Sequence, residues 1–246
     1  MLTRRYDADW RRDTRLSDGT EARFRWLRPD DATRLREGFS QLSPESVRMR
    51  FPGARGALRD GELRYLTECD QENHLAICAA SLVAGPDGAL TEGEGLGVAR
   101  SVRLPDEPHV AESAVVVADR AQRKGVGRRL LVHLARAAME RGVDTFRCEV
   151  LEENAGVRAL LSSLAPTVTI RDAVPVESFD EAALVDGRAQ AGEARVLVID
   201  VPLSPEGLRG GAAFSASALA ALLRLMAARA LEPVHRLLSR LTPHPP

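Results

Sequence analysis

Apolar positions along the chain follow two rhythms. A β-type rhythm runs through Glu21–Leu27, His74–Val83, Glu94–Arg103, His109–Ala118, Thr145–Leu151, Thr167–Val176 and Ala194–Val201, and predicts a strand at each. A helical rhythm places Leu35, Phe39 and Leu42 on one face of a predicted helix over Asp30–Gln41. Leu130, Leu131, Leu134 and Ala138 do the same for a helix from Arg128 to Gly142, with the glycine as its C-terminal cap. Ser43-Pro44-Glu45 opens another helix, with a capping serine and proline at the first helical position. Shorter helices are predicted over Asp60–Glu68 and Asn154–Leu164. Arg15–Gly19 is a turn, and Gly85-Pro86-Asp87-Gly88 sits in a hairpin loop of roughly eight to ten residues.

The ends follow different rules. Residues 1–15 are charged, with Tyr6 and Trp10 interspersed, and are expected to form a flexible arm before a domain over 16–203. Glu177–Glu193 is acidic and rich in Ala and Gly, so an exposed loop is expected. Residues 204–246 form a predicted helical extension. Leu219, Leu222, Leu223 and Met226 share one helical face, and Val234, Leu237, Leu238 and Leu241 share another beyond Pro233. Packing on the domain is the favoured role for these helices, with oligomer, partner or membrane-surface contact as the other.

The most informative stretch is Ala111–Leu131. A β-type run, Ala114–Ala118, leads through Gln122-Arg123-Lys124-Gly125-Val126-Gly127 into the helix at Arg128. A strand, a glycine-bearing turn and a helix N-terminus together aim backbone N–H groups at one point, where the helix dipole adds positive charge. Arg123, Lys124, Arg128 and Arg129 add cationic side chains, which points to a phosphate ligand, a pyrophosphate above all. The turn lacks the Gly-Lys-Ser/Thr of a P-loop, and Leu130 stands where a dinucleotide fingerprint needs its third glycine. An ordinary surface turn before an amphipathic helix is the competing reading.

Gln-x-x-Gly-x-Gly after a strand resembles the acyl-CoA pyrophosphate loop of the GNAT superfamily of N-acetyltransferases. Other segments match in order. Phe24–Asp31 resembles the family's first strand and the start of its first helix, and Leu42–Phe51 is similar to the "LSPES…RF" segment of Pat-like bacterial protein lysine acetyltransferases. Gly97–Arg103 and Ala111–Val117 look like the third and fourth strands, and Val150–Asn154 like the end of the fifth. The resemblance implies an α/β fold of the GNAT type, a mixed, mostly antiparallel sheet flanked by helices.

It also implies a chemistry. Acetyl-CoA would be the acyl donor, with Gln122, Arg123, Lys124, Gly125, Val126, Gly127 and Arg128 at its pyrophosphate and Val115, Val116 and Val117 along its pantetheine arm. Asn154 fits the position that contacts the arm beyond the fifth strand, and could equally cap the following helix. Glu112 is the candidate general base, a solvent-facing strand glutamate being the alternative. Glu149, Glu152 and Glu153 are weaker candidates. An amine of pKa ~10 is mostly protonated near neutrality, so a carboxylate base is useful. Many relatives carry a tyrosine seven residues after the asparagine to protonate the leaving thiolate. Here that position is Leu161, and Ser162 is the substitute candidate beside it.

Composition narrows the classes. The 246 residues carry 44% hydrophobic and 28% charged side chains, enough for a sizeable core. A net charge of −1 gives no global field for nucleic acid. Cys69, Cys78 and Cys148 show no metal spacing, and His74, His109 and His133 are isolated, so no metal is expected. The chain begins without an apolar leader and has no apolar run of transmembrane length, which reads as cytoplasmic. A protein lysine is the expected acceptor amine. The alternatives are a small-molecule amine, a non-catalytic acyl-CoA-binding module, and a nucleotide-binding regulator.

Overall fold

The computed structural model describes residues 4–50, 57–86, 88–165, 167–177 and 193–209. Most of the predicted loop before Glu193, and the predicted C-terminal helices, lie outside them. Among the described residues eight strands form one sheet: β1 (Arg11–Arg15), β2 (Glu21–Trp26), β3 (His74–Ala84), β4 (Leu90–Arg103), β5 (Val110–Val117), β6 (Thr145–Leu151), β7 (Thr169–Glu177) and β8 (Glu193–Pro202). Their order is β1-β2-β3-β4-β5-β6-β8-β7, and every neighbouring pair is antiparallel except β5 with β6. The mixed, mostly antiparallel sheet expected from the sequence is therefore present.

Among the described residues six α-helices accompany it: α1 (Ala32–Ser40), α2 (Pro44–Arg50), α3 (Asp60–Thr67), α4 (Val126–Met139), α5 (Ala155–Ser162) and the short α6 (Pro205–Arg209). The apolar stripe of α4 is fully buried at Leu130, Leu131 and Leu134, against a core that holds Phe24, Ile77, Ala99, Val115 and Phe146. Close packing of this helix depends on Gly97, where a Cβ would come within 2.6 Å of the Val116 carbonyl oxygen and 3.1 Å of Leu130 Cδ1. Leu35 and Phe39 of α1 and Leu66 of α3 look onto the opposite sheet face, over Cys78, Val98, Ala114 and Val116.

Three expectations need correction. The first fifteen residues are not simply an arm, because Arg11–Arg15 pairs with β2 from Arg11↔Arg25 to Arg15↔Glu21. That strand has no apolar face, so its sequence carries no alternation. It is pinned by Tyr6, which is 1% exposed, and by Trp10 against Trp26 and His133. The β3–β4 hairpin is tighter than expected: Ala84 pairs with Leu90, leaving a five-residue loop whose Gly85 N–H donates to Ala89 C=O. Glycines and glutamates at the start of β4 hid its outer half from a hydrophobic pattern. Finally, α4 begins at Val126 rather than Arg128, with Gly125 as its N-cap at φ 82°.

The contact between Tyr6 and His133 includes a titratable group. The Tyr6 hydroxyl and His133 Nδ1 are hydrogen-bonded at 2.9 Å. Burial, and then the charges of Arg136, Arg5, Arg12 and Arg129, pull His133 down to about 4. The imidazole is thus neutral in the fold, while the unfolded chain takes up a proton below its ordinary value near 6.5. The His133 contribution to stability should therefore fall as the pH drops from 6.5 towards 4, by up to roughly 3 kcal/mol, and be constant below. Chemical denaturation at several pH values checks this, and His133→Gln should flatten that part of the profile.

Candidate active site: a wedge between two strands

Parallel pairing of β5 with β6 covers only Val110↔Thr145, Ala111↔Phe146 and Glu112↔Arg147. Beyond Glu112 the strands part. β5 continues to Val117 against β4, and β6 to Leu151 against β8. A wedge opens between them, with Glu112 at its apex.

Hydrogen bonding decides which groups of β5 face the wedge. Leu104 N–H donates to Val110 C=O at 3.0 Å, and Ala118 N–H donates to Leu96 C=O at 3.0 Å. Even-numbered residues of β5 thus turn their backbone groups to β4, and Ser113, Val115 and Val117 turn theirs to the wedge. Of the three valines expected along a donor arm, Val115 and Val117 suit that role. Val116 instead points its backbone at β4, and its side chain lines the cavity under α1. Ser113 was not anticipated; it is 6% exposed and its hydroxyl has no hydrogen-bond partner.

The mouth of the wedge is framed by the loop from Ala118 to Gly125. Arg123 (φ 59°) and Gly125 (φ 82°) are both left-handed, which swings successive N–H groups to one side. The first N–H groups of α4 extend that row, since they precede the helix's own ladder. Arg129 N–H is the first within it, donating to Gly125 C=O at 3.2 Å. Val126 is 1% exposed and anchors the loop in the core. Gly127 lies inside the first helical turn, not in the loop. A Cβ there would meet Leu160 Cδ2 at 3.2 Å and Val117 Cγ2 at 3.3 Å, so its value is the close approach of α4, α5 and β5. Gln122 spans the loop, its Nε2 donating to Asp119 Oδ1 at 3.2 Å and Val117 C=O at 3.4 Å.

The cationic set divides. Lys124 Nζ is 2.9 Å from Asp18 Oδ2, and this hydrogen bond holds the Asp18 carboxyl at about 2. Its charge is thereby shared with the β1–β2 turn. Arg128 and Arg129 are half-buried in the first turn of α4, and one guanidinium nitrogen of Arg129 is buried without a hydrogen-bond partner.

Asp119, which the sequence reading overlooked, ties the loop to α2. Its carboxylate accepts from Ser43 N–H at 2.9 Å, Ser43 Oγ at 3.0 Å and Ser46 Oγ at 2.6 Å. Ser43 was legible as a helix cap and does accept from Ser46 N–H at 3.2 Å. Arg48 and Glu153 form an ion pair that fastens the far side of α2 beyond β6.

Asn154 caps α5, its Oδ1 accepting from Val157 N–H at 3.0 Å. Leu161, at the tyrosine position, is 2% exposed and part of the core. Ser162 ends α5 and lies about 200° around the helix from Leu160, the residue that packs at the mouth. The fold thus brings β5, the loop and α4 together and turns Ser162 elsewhere. Glu112 is exposed and shares a strand face with Ala114 and Val116. Among the described residues no group of three His, Cys, Asp or Glu side chains is placed to hold a metal, and no helix is long and apolar enough to cross a membrane.

Known proteins resemble this chain in sequence and fold. The family model described as "Acetyltransferase (GNAT) family" matches residues 51–164. The acetyltransferase Pat of Mycolicibacterium smegmatis is 32% identical over 136 residues, 55% of this chain but 38% of that protein. The chain therefore spans well under half the length of that relative. The acetyltransferase PA5475 of Pseudomonas aeruginosa is 30% identical over 145 residues, covering 59% of this chain and 73% of that one. The crystal structure of the GNAT domain of S. lividans PAT superposes with a TM-score of 0.60 at 27% identity, over 79% of this chain and 99% of that domain. On these matches, the chain belongs to the GNAT family of acetyltransferases.

Proposed function

We propose that the protein transfers an acetyl group from acetyl-CoA to an amine, with Glu112 as general base. The wedge supports this most. Its β5 edge offers the Ser113 and Val115 backbone groups to an extended amide-bearing arm, and its mouth offers a row of N–H groups to phosphates. In this reading an ammonium acceptor loses a proton to Glu112, directly or through water, and the free amine attacks the thioester carbonyl. A backbone N–H of β5 stabilises the oxygen that gains charge. The carbon–nitrogen bond forms, the carbon–sulfur bond breaks, and CoA leaves as a thiolate that water can protonate. Ser162 is not retained as the acid, because of its position around α5.

The likeness to Pat-type domains supports a protein lysine as the acceptor. One observation supports a second reading, a small amine that carries a carboxylate: the buried Arg100, taken up below.

Thermal denaturation with acetyl-CoA, CoA, ATP and NAD tests the donor site. A ligand that binds only the folded state, at a hundred times its Kd, adds about 2.7 kcal/mol. Acetyl-CoA and CoA should raise the melting temperature, and ATP and NAD should not. No shift with either thioester-type ligand would end the transferase reading.

A further inference from the structure

On the sheet face that carries Glu112, one buried cation has no carboxylate beside it among the described residues. Arg100 lies on β4 opposite Ala114 and is 9% exposed. Its Nη1 donates to His74 Nε2 and its Nη2 to Leu66 C=O, both neutral acceptors, and its guanidinium sits 5.9 Å from the Tyr65 ring centroid. Among the described residues no carboxylate lies within 4.0 Å of it. The contrast is internal to the fold. Arg25 and Arg147, comparably buried, each hold two carboxylates: Asp31 and Glu92 for the first, Glu107 and Asp200 for the second.

A guanidinium does not shed its proton in a protein, and burying one without an anion costs several kcal/mol. The α3 C-terminus, through Leu66 C=O, offsets part of that cost. Arg100 also lines an open cavity of ≈ 120 Å³ whose other walls include Leu27, Phe39, Leu58, Leu66 and Val98. Arg25, Arg34 and Asp31 also line it, but Arg25 is held by Asp31 and Glu92 and Arg34 by Glu92, so among the described residues Arg100 is the lining cation without a carboxylate.

We propose that this cavity binds the acceptor by its own carboxylate, held by Arg100, so that the acceptor is a free amino acid with an apolar side chain. The proposal rests on the acetyltransferase reading for the role of the amine, but the carboxylate site stands on Arg100 alone. Spacing agrees with it. His74, Val102 and Glu112 form one row across β3, β4 and β5, so the Arg100 head beside His74 is about two strand spacings, roughly 9–10 Å, from Glu112. Two hydrogen bonds of about 3 Å and the roughly 3 Å between an α-amine and its carboxylate fill that distance.

Calorimetric titration of the full chain with leucine, methionine and phenylalanine, each against its amide, tests the site. The acids should bind at least tenfold more tightly than the amides. Arg100→Gln should erase the difference while CoA affinity is kept, and Arg100→Lys should restore part of it. Should Arg100→Gln fail to fold, the acid–amide comparison on the natural chain decides alone. Equal binding of acid and amide, or binding of neither, would overturn the proposal. Acetyl-CoA binding, measured on the same sample, reports separately on the transferase reading: its loss with acid–amide discrimination intact would remove the reaction and leave the carboxylate site.

Discussion

Glu112→Gln is expected to lower the rate of acetyl transfer by about 10²–10⁴-fold while leaving CoA binding nearly unchanged. Glutamine keeps the size and polarity of the side chain and removes its basicity, and Glu112 is exposed, so little stability is at stake. In the proposed reading the donor's contacts lie elsewhere, on the odd residues of β5 and the loop before α4. A base defect also has a signature. Because an amine of pKa ~10 deprotonates by itself as the pH rises, the variant should recover activity towards pH 9–10 more steeply than the natural protein. Steady-state rates across pH 6–10, beside CoA titrations, read both effects. A variant with full activity at pH 7 would remove Glu112 from the chemistry.

The largest effect on stability is expected at Arg25. Its side chain is 13% exposed and holds Asp31 (8%) through two hydrogen bonds of 2.7 and 2.8 Å and Glu92 (14%) through two more of 2.7 and 2.8 Å. For Asp31, burial alone would push the carboxyl up. The Arg25 hydrogen bonds and the Arg28 N–H outweigh it and hold the group below its usual range. Arg25 holds Glu92 down in the same way. Arg25→Met would leave two largely buried carboxylates side by side, without the guanidinium that holds both and with the 49% exposed Arg34 as the remaining ion-pair partner of Glu92. Breaking a buried pair in this way costs about 3–5 kcal/mol. The sign of the pH dependence follows. Carboxylates with depressed values contribute stability above their unfolded pKa and lose it as the pH falls. The gap between variant and natural protein should therefore be widest near neutrality and narrow below about pH 4, where both acids take up protons. Urea melts at pH 7 and pH 3.5 would check it, and a variant within 1 kcal/mol of the parent at pH 7 would show the cluster to be dispensable.

What could be read from the sequence depended on range. Leu130, Leu131 and Leu134 announced α4 because a helix writes its buried stripe into consecutive turns. The strand at Ala114–Ala118 and the Ser43 cap were legible for the same local reason. Arg11–Arg15 was not, because its order comes from pairing with β2 and from Tyr6 reaching His133, 127 residues away. The two-residue error at the start of α4 traces to Gly127, a glycine that reads as part of the turn but lies in the first helical turn after the Gly125 cap. Glu112 entered only through family resemblance, since a lone strand glutamate has no pattern of its own. Asp119, Arg25 and Arg100 owe their surroundings to partners far along the chain, and a linear reading has no way to assemble those.

The three rungs between β5 and β6 make the sheet two plates on a short joint, five strands on one side and three on the other. An extended ligand lying against Ser113 and Val115 would act as a missing strand and stitch the plates beyond the joint. Substrate would then be part of the tertiary structure, and its arrival a step in completing the fold. Amide exchange at Ser113 and Val115 should slow on donor binding far more than at Val116, whose N–H already belongs to the β4 side. Turnover would in that sense be a cycle of partial unstitching, with product release paced by how readily a strand can leave a sheet.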